Sequence, residues 1–302
     1  MIDTLIPEIC APTLRERCAR MWFWIYRFRS LPRAGRLFGN SGSRRILARR
    51  LFRYRFLCDV SRPGPSRQIY LEGERFISER KLIASLLRPG FRSVDVGANL
   101  GYYCLMILQR VGSKGRVIAI EPSPENLPWL LSNLESNDLL GQVDIIECAV
   151  GDETRTVGLR AGINSGVSNG NRDYLVRMDT LDNLVKGPID FLKMDIEGYE
   201  YFALKGATAV LRRYHPILFV EIHPQQLREL GLSVKSVISL LGDLYSRIEF
   251  YEQGHGFGAI TKLLRLYFGI REVRKVNNIT EFIGHADREF NIAPFWAICR
   301  HP

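Results

Sequence analysis

The feature that most constrains the fold is the run Ser93-Val94-Asp95-Val96-Gly97-Ala98-Asn99-Leu100-Gly101-Tyr102. A short apolar segment containing an acidic residue leads into two glycines four positions apart, and an amphipathic stretch then continues to Val111. This order predicts the strand, tight turn and helix that open an α/β nucleotide-binding fold. Glycine at 97 and 101 permits a positive φ and lets a ligand approach the backbone closely. Asp95 lies near the carboxyl end of the strand, where open parallel sheets bind their ligands.

The spacing within this loop favours one class of cofactor. A loop that binds a pyrophosphate requires G-x-G-x-x-G, whereas here an acidic residue precedes the first of two glycines that stand four apart. A carboxylate at that place repels phosphate but suits a cationic ligand with amino or hydroxyl donors. S-adenosylmethionine is such a ligand, since it carries an ammonium and a sulfonium and no phosphate. The loop alone also fits a purely structural turn.

Charge is unevenly distributed along the 302 residues, whose net charge is +10. Residues 1–67 contain 15 arginines, no lysine and four acidic residues, so the remainder of the chain is close to neutral. Binding of nucleic acid by that remainder is therefore not indicated. No run of about eighteen apolar residues is present. The six cysteines form no C-x-x-C pair, which predicts free thiols in a reducing, cytoplasmic compartment.

We predict two domains, a basic helical extension over 1–72 and an α/β domain over 73–302, with turn residues near Ser61–Ser66 marking the boundary. Helices are expected over 12–29 and 43–57. The second has basic and apolar pairs at helical spacing, so residues 12–57 could make a peripheral contact with an anionic membrane. An acidic partner, a nucleic acid and an ordinary solvated helical arm are the alternatives.

Further candidate cofactor residues follow the next two predicted strands. Glu121 ends a strand 24 residues after Gly97, where a carboxylate can accept two hydrogen bonds from ribose hydroxyls. It could instead only cap the following helix. Ala149 and Asp152 follow the strand expected over 142–150 and would meet the adenine ring, although Asp152 also suits a plain turn.

Acidic residues also collect at the ends of two later strands, expected over 189–195 and 216–224. Asp195 and Glu197 follow the first of them, and Glu221 and His223 end the second. Acids at the ends of apolar strands are costly unless they are hydrogen-bonded or functional. We therefore expect these four side chains and Asp95 to face one crevice.

Several of these segments resemble the FkbM family of S-adenosylmethionine-dependent methyltransferases. The matching segments are Val94-Asp95-Val96-Gly97-Ala98-Asn99-Leu100-Gly101, Ile120-Glu121-Pro122, Ala149-Val150-Gly151-Asp152, Thr180-Leu181-Asp182, Lys193-Met194-Asp195-Ile196-Glu197-Gly198-Tyr199-Glu200 and Val220-Glu221-Ile222-His223. The resemblance implies a class I methyltransferase fold, an α/β architecture with a seven-stranded, mostly parallel sheet whose last strand is antiparallel. It also implies transfer of a methyl group to a hydroxyl of a sugar, glycolipid or polyketide-type acceptor.

These observations together assign roles within an in-line methyl transfer from S-adenosylmethionine. A hydroxyl acceptor requires a base, for which Asp195 is the first choice and His223 the second, oriented by Glu197 or Glu221. The cofactor residues are Asp95 and Gly97 at the methionine portion, Asn99 and Gly101 in the turn, Glu121 at the ribose, and Ala149 and Asp152 at the adenine. Asp195, Glu221 and His223 are residue types that a divalent cation accepts, but we predict a reaction without a metal.

Two rival functions remain open on the sequence. The arginine-rich extension would suit a nucleic-acid methyltransferase, although the chain lacks the N/D-P-P-Y/F run expected for methylation of base amino groups. A non-catalytic adaptor that binds a membrane or partner and keeps a vestigial pocket is the other. Failure to bind the cofactor would favour the adaptor, and salt-dependent binding of RNA or DNA would favour the first rival.

Overall fold

The computed structural model describes residues 12–25, 45–61, 64–73, 77–159, 173–253, 273–286 and 293–301. The helices in these residues are α1 (Leu14–Ile25), α2 (Pro65–Glu72), α3 (Ile77–Leu86), α4 (Tyr102–Val111), α5 (Leu127–Glu135), α6 (Leu181–Leu184), α7 (Glu200–Lys205), α8 (Thr208–Tyr214), α9 (Pro224–Glu229), α10 (Val234–Leu244) and α11 (Ile279–Ala286). The strands are β1 (Ile46–Leu51), β2 (Tyr54–Asp59), β3 (Arg92–Val96), β4 (Arg116–Ile120), β5 (Val143–Ile146), β6 (Ala149–Val150), β7 (Arg155–Leu159), β8 (Tyr174–Asp179), β9 (Phe191–Met194), β10 (Ile217–Ile222), β11 (Arg247–Gln253), β12 (Val273–Lys275) and β13 (Phe295–Arg300).

The central sheet has the strand order β12-β11-β13-β10-β9-β3-β4-β5. Strands β3, β4, β5, β9 and β10 pair in parallel, while β13 is antiparallel to both β10 and β11. The predicted α/β fold with an antiparallel last strand is confirmed. Among the described residues the sheet has eight strands, because the short β12 adds an antiparallel edge to the seven that were expected.

Alternation along the inner strands places apolar side chains on both faces of this sheet. In β9, Leu192 and Met194 are buried in one core, while Phe191 is buried in the other. Helices cover both faces, as a parallel sheet requires. Polar residues among these apolar side chains are consequently enclosed, which matters for Asp95 and Lys193, partners in the register of β3 and β9.

The helix predicted over 43–57 is wrong, because these residues form the antiparallel hairpin β1–β2. The chain turns at Phe52 and Arg53, and Phe52 adopts a φ of 57°. Neighbouring Ile46 and Leu47 are both buried, so β1 is covered on both of its faces. A strand buried on two sides shows adjacent apolar residues, a pattern that also occurs along a helix.

This hairpin packs into the core of the α/β domain. Phe56 makes an edge-to-face contact with Tyr102 of α4, with ring centroids 6.4 Å apart. The buried Asn133 of α5 accepts a hydrogen bond from the Leu57 N–H at 2.7 Å and donates one to the Leu100 carbonyl at 2.8 Å. The apolar side chains of the hairpin are therefore engaged in the core, and membrane contact through residues 12–57 stays a prediction. None of the described helices is long and apolar enough to cross a membrane.

One further element differs from expectation. The strand predicted over 142–150 divides into β5 in the central sheet and β6, which pairs with β8 in a separate small sheet. Helices α7 and α8 are separated at Gly206, where a side chain would lie 2.0 Å from the Gly151 carbonyl oxygen.

Candidate active site

A cavity of about 520 Å³ lies at the carboxyl ends of β3, β4, β9 and β10. Its walls include Gly97–Leu100, Glu121, Cys148–Val150, Asp195–Glu197, Glu221 and His223. The volume falls within the range of about 300–1,000 Å³ that is usual for small-molecule sites. Most of the sequence-predicted site residues thus share one pocket.

The loop after β3 contacts the end of β9 directly. Gly97 has a φ of 81°, and a β-carbon there would lie 2.0 Å from the Asp195 carbonyl oxygen. Gly101 also has a left-handed backbone and is the N-cap residue of α4. Only glycine allows this combination of backbone geometry and close approach at position 97. The loop after β3, predicted to bind the cofactor, therefore packs against the backbone of Asp195, the predicted base, and helps to position it.

Glu121 is nearly fully buried and holds this loop in place. Its Oε2 accepts the Asn99 N–H at 2.8 Å, and its Oε1 accepts the Ser123 N–H at 2.9 Å and Asn126 Nδ2 at 3.1 Å. Burial raises the pKa of Glu121, and these three donors oppose that rise. A carboxylate offers about four acceptor positions, so one remains on Oε2 rather than the two expected for the ribose.

Asp95 lies beneath the pocket and has no exposed surface. Its Oδ1 is 3.5 Å from Lys193 Nζ, and the same ammonium is 3.5 Å from Asp195 Oδ2. The thiol of Cys104 donates to Asp95 Oδ2 at 3.2 Å. Asp95 therefore anchors Lys193 and does not line the pocket, so its role at the methionine portion stays a prediction that this geometry does not support.

Lys193 connects the floor of the pocket to Asp195. Its side chain is fully buried, and its Nζ lies 4.5 Å from the centre of the Tyr103 ring. Burial lowers the pKa of Lys193, but the carboxylates of Asp195 and Asp95 outweigh that effect and raise it overall. Lys193 is thus a buried cation that pairs with Oδ2 of Asp195, while Oδ1 of Asp195 lies on the side of His223.

His223 occupies the centre of the acidic cluster. Its Nδ1 lies 2.8 Å from Glu200 Oε1, while its Nε2 lies 3.8 Å from Asp195 Oδ1, 3.6 Å from Glu197 Oε2 and 3.9 Å from Glu221 Oε1. Burial lowers the pKa of His223, but Glu200 and the other carboxylates raise it to about 10. The imidazole is therefore protonated at neutral pH in this arrangement.

Glu197 and Glu221 face the same imidazole from neighbouring strands. Glu197 adopts a left-handed φ of 54°, and Gln226 Nε2 donates to its Oε2 at 3.4 Å. Burial raises the pKa of both carboxyl groups. Burial is the largest cause of the raised pKa in both groups, and the negative charge of Asp195 raises each pKa further. Asp195, Glu197 and His223 offer ligand atoms that all lie within 4.8 Å of one another, a grouping that can hold a metal ion.

The last two predicted cofactor residues differ in their placement. Ala149 lines the pocket between Cys148 and Val150, beside apolar surface that suits an adenine ring. Asp152 does not line the pocket, and its carboxylate pairs with Lys205 Nζ at 3.0 Å. The role of Asp152 at the adenine stays a prediction that this geometry does not support.

Sequence reasoning gave no role to three residues that organise the site. Lys193 could have been found as a lone charge within the apolar strand Phe191-Leu192-Lys193-Met194. Glu200 lies three residues after Glu197 and begins α7, but nothing in the sequence pairs it with His223. Tyr103 reads as an ordinary member of the apolar face of α4, although its hydroxyl donates to Glu79 Oε1 at 2.6 Å.

The topology and the site together define a class of protein. An antiparallel strand inserted between the last two parallel strands, with a pocket beyond the glycine loop of the first central strand, is the class I methyltransferase arrangement. The family model described as "Methyltransferase FkbM domain" matches residues 95–259, which is more than half of the chain. The chain therefore belongs to the FkbM methyltransferase family, whose cofactor is S-adenosylmethionine.

Individual relatives match either a short segment of the chain or a longer one at low identity. A protein-L-isoaspartate O-methyltransferase of Aeropyrum pernix is 35% identical over 68 residues, which cover 22% of this chain and 25% of that enzyme. An FkbM methyltransferase structure from Methylobacillus flagellatus is 22% identical, with a TM-score of 0.39, over 60% of this chain and 48% of that one. An O-methyltransferase structure from Thermotoga maritima is 17% identical, with a TM-score of 0.40, over 74% and 65%.

Proposed function

We propose that this protein transfers the methyl group of S-adenosylmethionine to a hydroxyl oxygen of a sugar, glycolipid or polyketide-type acceptor. One observation carries the proposal. A single pocket is lined both by the loop Gly97–Leu100 with Glu121 and by the carboxylates around Asp195. The first group suits an adenosine with a cationic methionine, and the second suits a hydroxyl that must lose its proton. The acceptor class rests on the family resemblance.

The residues present fit the cofactor by their donor and acceptor chemistry. Glu121 keeps one acceptor position for a ribose hydroxyl, and Cys148–Val150 offers an apolar wall beside it. The acidic residues that face the pocket give it a negative character, which favours a ligand with an ammonium and a sulfonium. When bound, the cofactor supplies a methyl group that is already activated towards displacement. The protein then contributes proximity and alignment.

Asp195 is the group that we assign to the acceptor. Lys193 holds its Oδ2 at 3.5 Å, while its Oδ1 faces the pocket side of the cluster near His223. A carboxylate held in this way can accept the hydroxyl proton as the oxygen attacks the methyl carbon in line with the departing sulfur. His223, with a pKa of about 10, is a proton donor at neutral pH and does not compete with Asp195 for that role.

The test combines product analysis with one substitution. The protein is incubated with S-adenosylmethionine carrying a labelled methyl group and with sugar, glycolipid and polyketide fractions, and the methylated atom is located by mass spectrometry. For Asp195→Asn we expect turnover to fall by about 10²–10⁴-fold, because proton removal is lost. Affinity for the cofactor should change little, since Lys193 retains Asp95 as a partner.

The exposed Asp144 of β5 provides a matched control, since it does not line the pocket and Asp144→Asn removes the same charge. Asp144→Asn should match the wild type in turnover and in cofactor affinity. Label found on nitrogen or carbon, or full turnover by Asp195→Asn, would overturn the assignment of the acceptor atom or of the base.

A further inference from the structure

We propose that Asp195, Glu197 and His223 form a divalent cation site that presents the acceptor to the cofactor. The inference rests on the proposed function for its role, but the site itself is argued from geometry alone. Their ligand atoms lie within 4.8 Å of one another, on the segments that follow β9 and β10. A reaction without a metal was predicted from the sequence, with Glu221 as the carboxylate of suitable type in the position that Glu197 takes in the structure.

The distances are close to those of a filled site. Ligand atoms bound at about 2.1 Å from one cation stand about 3.0–3.4 Å apart, according to whether the geometry is octahedral or tetrahedral. His223 Nε2 is 3.6 Å from Glu197 Oε2 and 3.8 Å from Asp195 Oδ1. Small side-chain movements would therefore complete the first coordination sphere. Glu221 Oε1, at 3.9 Å from the same nitrogen, is placed to add a fourth ligand.

The environment of His223 is an independent indication of a ligand. The residue is 3% exposed, and its Nδ1 pairs with the fully buried Glu200 at 2.8 Å. Its Nε2 makes no hydrogen bond among the described residues and faces the carboxylate oxygens. A histidine held by a carboxylate through one nitrogen, with the other directed at further ligands, is the usual outer-shell arrangement of metal sites. Glu200 thereby becomes a positioning residue.

The charges point the same way. Four carboxylates, from Asp195, Glu197, Glu200 and Glu221, surround one imidazole. Lys193 is the other cation that the described structure brings to Asp195, and it is shared with Asp95. Binding of a divalent cation would relieve the repulsion between these carboxylates. Oxygen ligands with a single imidazole favour manganese or magnesium over the softer metals.

The site also indicates the kind of acceptor. Asp195 and Glu197 are each about a quarter exposed towards the pocket, at 26% of their side-chain surface. Coordination positions on that side would remain open to the acceptor. A cation lowers the pKa of a hydroxyl oxygen that it binds, so a coordinated acceptor would release its proton more readily, and Asp195, bound to the cation through one lone pair of Oδ1, would keep another for that proton. Two open positions side by side would select acceptors with neighbouring oxygens, such as the vicinal diol of a sugar.

The test measures binding of manganese itself. Protein freed of metal with a chelator is titrated with MnCl₂, and free Mn²⁺ is followed by electron paramagnetic resonance. We expect one saturable site. His223→Gln and Glu197→Gln should weaken it at least tenfold, and Glu200→Gln by about 10–100-fold through the loss of histidine positioning. Asp144→Asn should bind as the wild type does.

Absence of saturable binding by the folded wild type, or equal binding by Glu197→Gln, would overturn the site. Glu197 is partly exposed, so its substitution keeps the test valid even where His223→Gln fails to fold. Binding of S-adenosylmethionine is measured on the same samples. Cofactor binding without Mn²⁺ binding refutes only the cation site, whereas Mn²⁺ binding without cofactor binding supports the site and refutes the proposed function.

Discussion

Substitution of Gly97 by alanine tests whether the glycine loop sets the position of the proposed base. A β-carbon at residue 97 would lie 2.0 Å from the Asp195 carbonyl oxygen, and contacts under 3.0 Å force a shift. The end of β9 must therefore retreat by about 1 Å, a displacement that can cost about 10²-fold in rate when it moves a catalytic group. The left-handed backbone at φ 81° adds strain for alanine.

Gly90 offers a matched control because its φ is 84° and nothing lies within 4 Å of its β-carbon position. Gly90→Ala should lower the free energy of unfolding by about 1–2 kcal/mol, the strain of a left-handed backbone. In Gly97→Ala the same backbone strain is joined by overpacking, which costs about 1–3 kcal/mol, so its free energy of unfolding should fall by about 2–5 kcal/mol in total.

Urea unfolding measures the two stabilities, and methyl-transfer assays measure turnover. We expect Gly97→Ala to be less stable than Gly90→Ala and to lose about 10²-fold in turnover, while Gly90→Ala keeps its turnover. Equal stabilities, or wild-type turnover in Gly97→Ala, would refute the reasoning that this loop positions Asp195.

Two further predictions concern the scaffold. Asn133→Ala should destabilise the fold by about 2–6 kcal/mol in urea unfolding, because the Leu57 N–H and the Leu100 carbonyl lose their partner in the core. The control is Asn137→Ala, which removes hydrogen bonds to the same hairpin from a half-buried site and should destabilise the fold clearly less. Equal losses of stability would contradict the bridging role of Asn133. Burial raises the pKa of Asp179, but hydrogen bonds from Asn183, Thr154 and Thr180 lower it well below its ordinary value overall. The stability that this carboxylate contributes is therefore present above about pH 4 and lost as the pH falls towards its folded pKa. The difference in unfolding free energy between the wild type and Asp179→Asn should accordingly shrink below about pH 4. A difference that grew at lower pH would disprove the linkage.

The sequence predicted the parallel core of the fold because its signals there are local. The apolar strand before Asp95 and the amphipathic helix after Gly101 each show their own period, and α4 begins and ends where that helix was expected. The hairpin β1–β2 was missed because its burial on two faces depends in part on α5, which lies far away in the sequence. Long-range packing of this kind overrides the local pattern.

The sequence predicted most of the residues that line the pocket, but not the contacts that these residues make with one another. Parallel strands bring their carboxyl ends to one edge, so Glu121, Asp195 and His223 could be placed together from the sequence. The sequence does not reveal which carboxylate pairs with which cation. Asp95 turned out to be an anchor for Lys193, and His223 a protonated partner of Glu200, because burial and register decide those pairs.

Calorimetric titration of S-adenosylmethionine into the wild type and Glu121→Ala tests the central claim most directly. The wild type should bind one equivalent. Glu121→Ala should bind at least about tenfold more weakly, because it loses a charge-assisted hydrogen bond of about 1.5–3 kcal/mol to the cofactor and the support of the Asn99 N–H in the loop. A wild type that binds no cofactor, or a folded Glu121→Ala with unchanged affinity, would contradict the placement of the cofactor at the ends of β3 and β4.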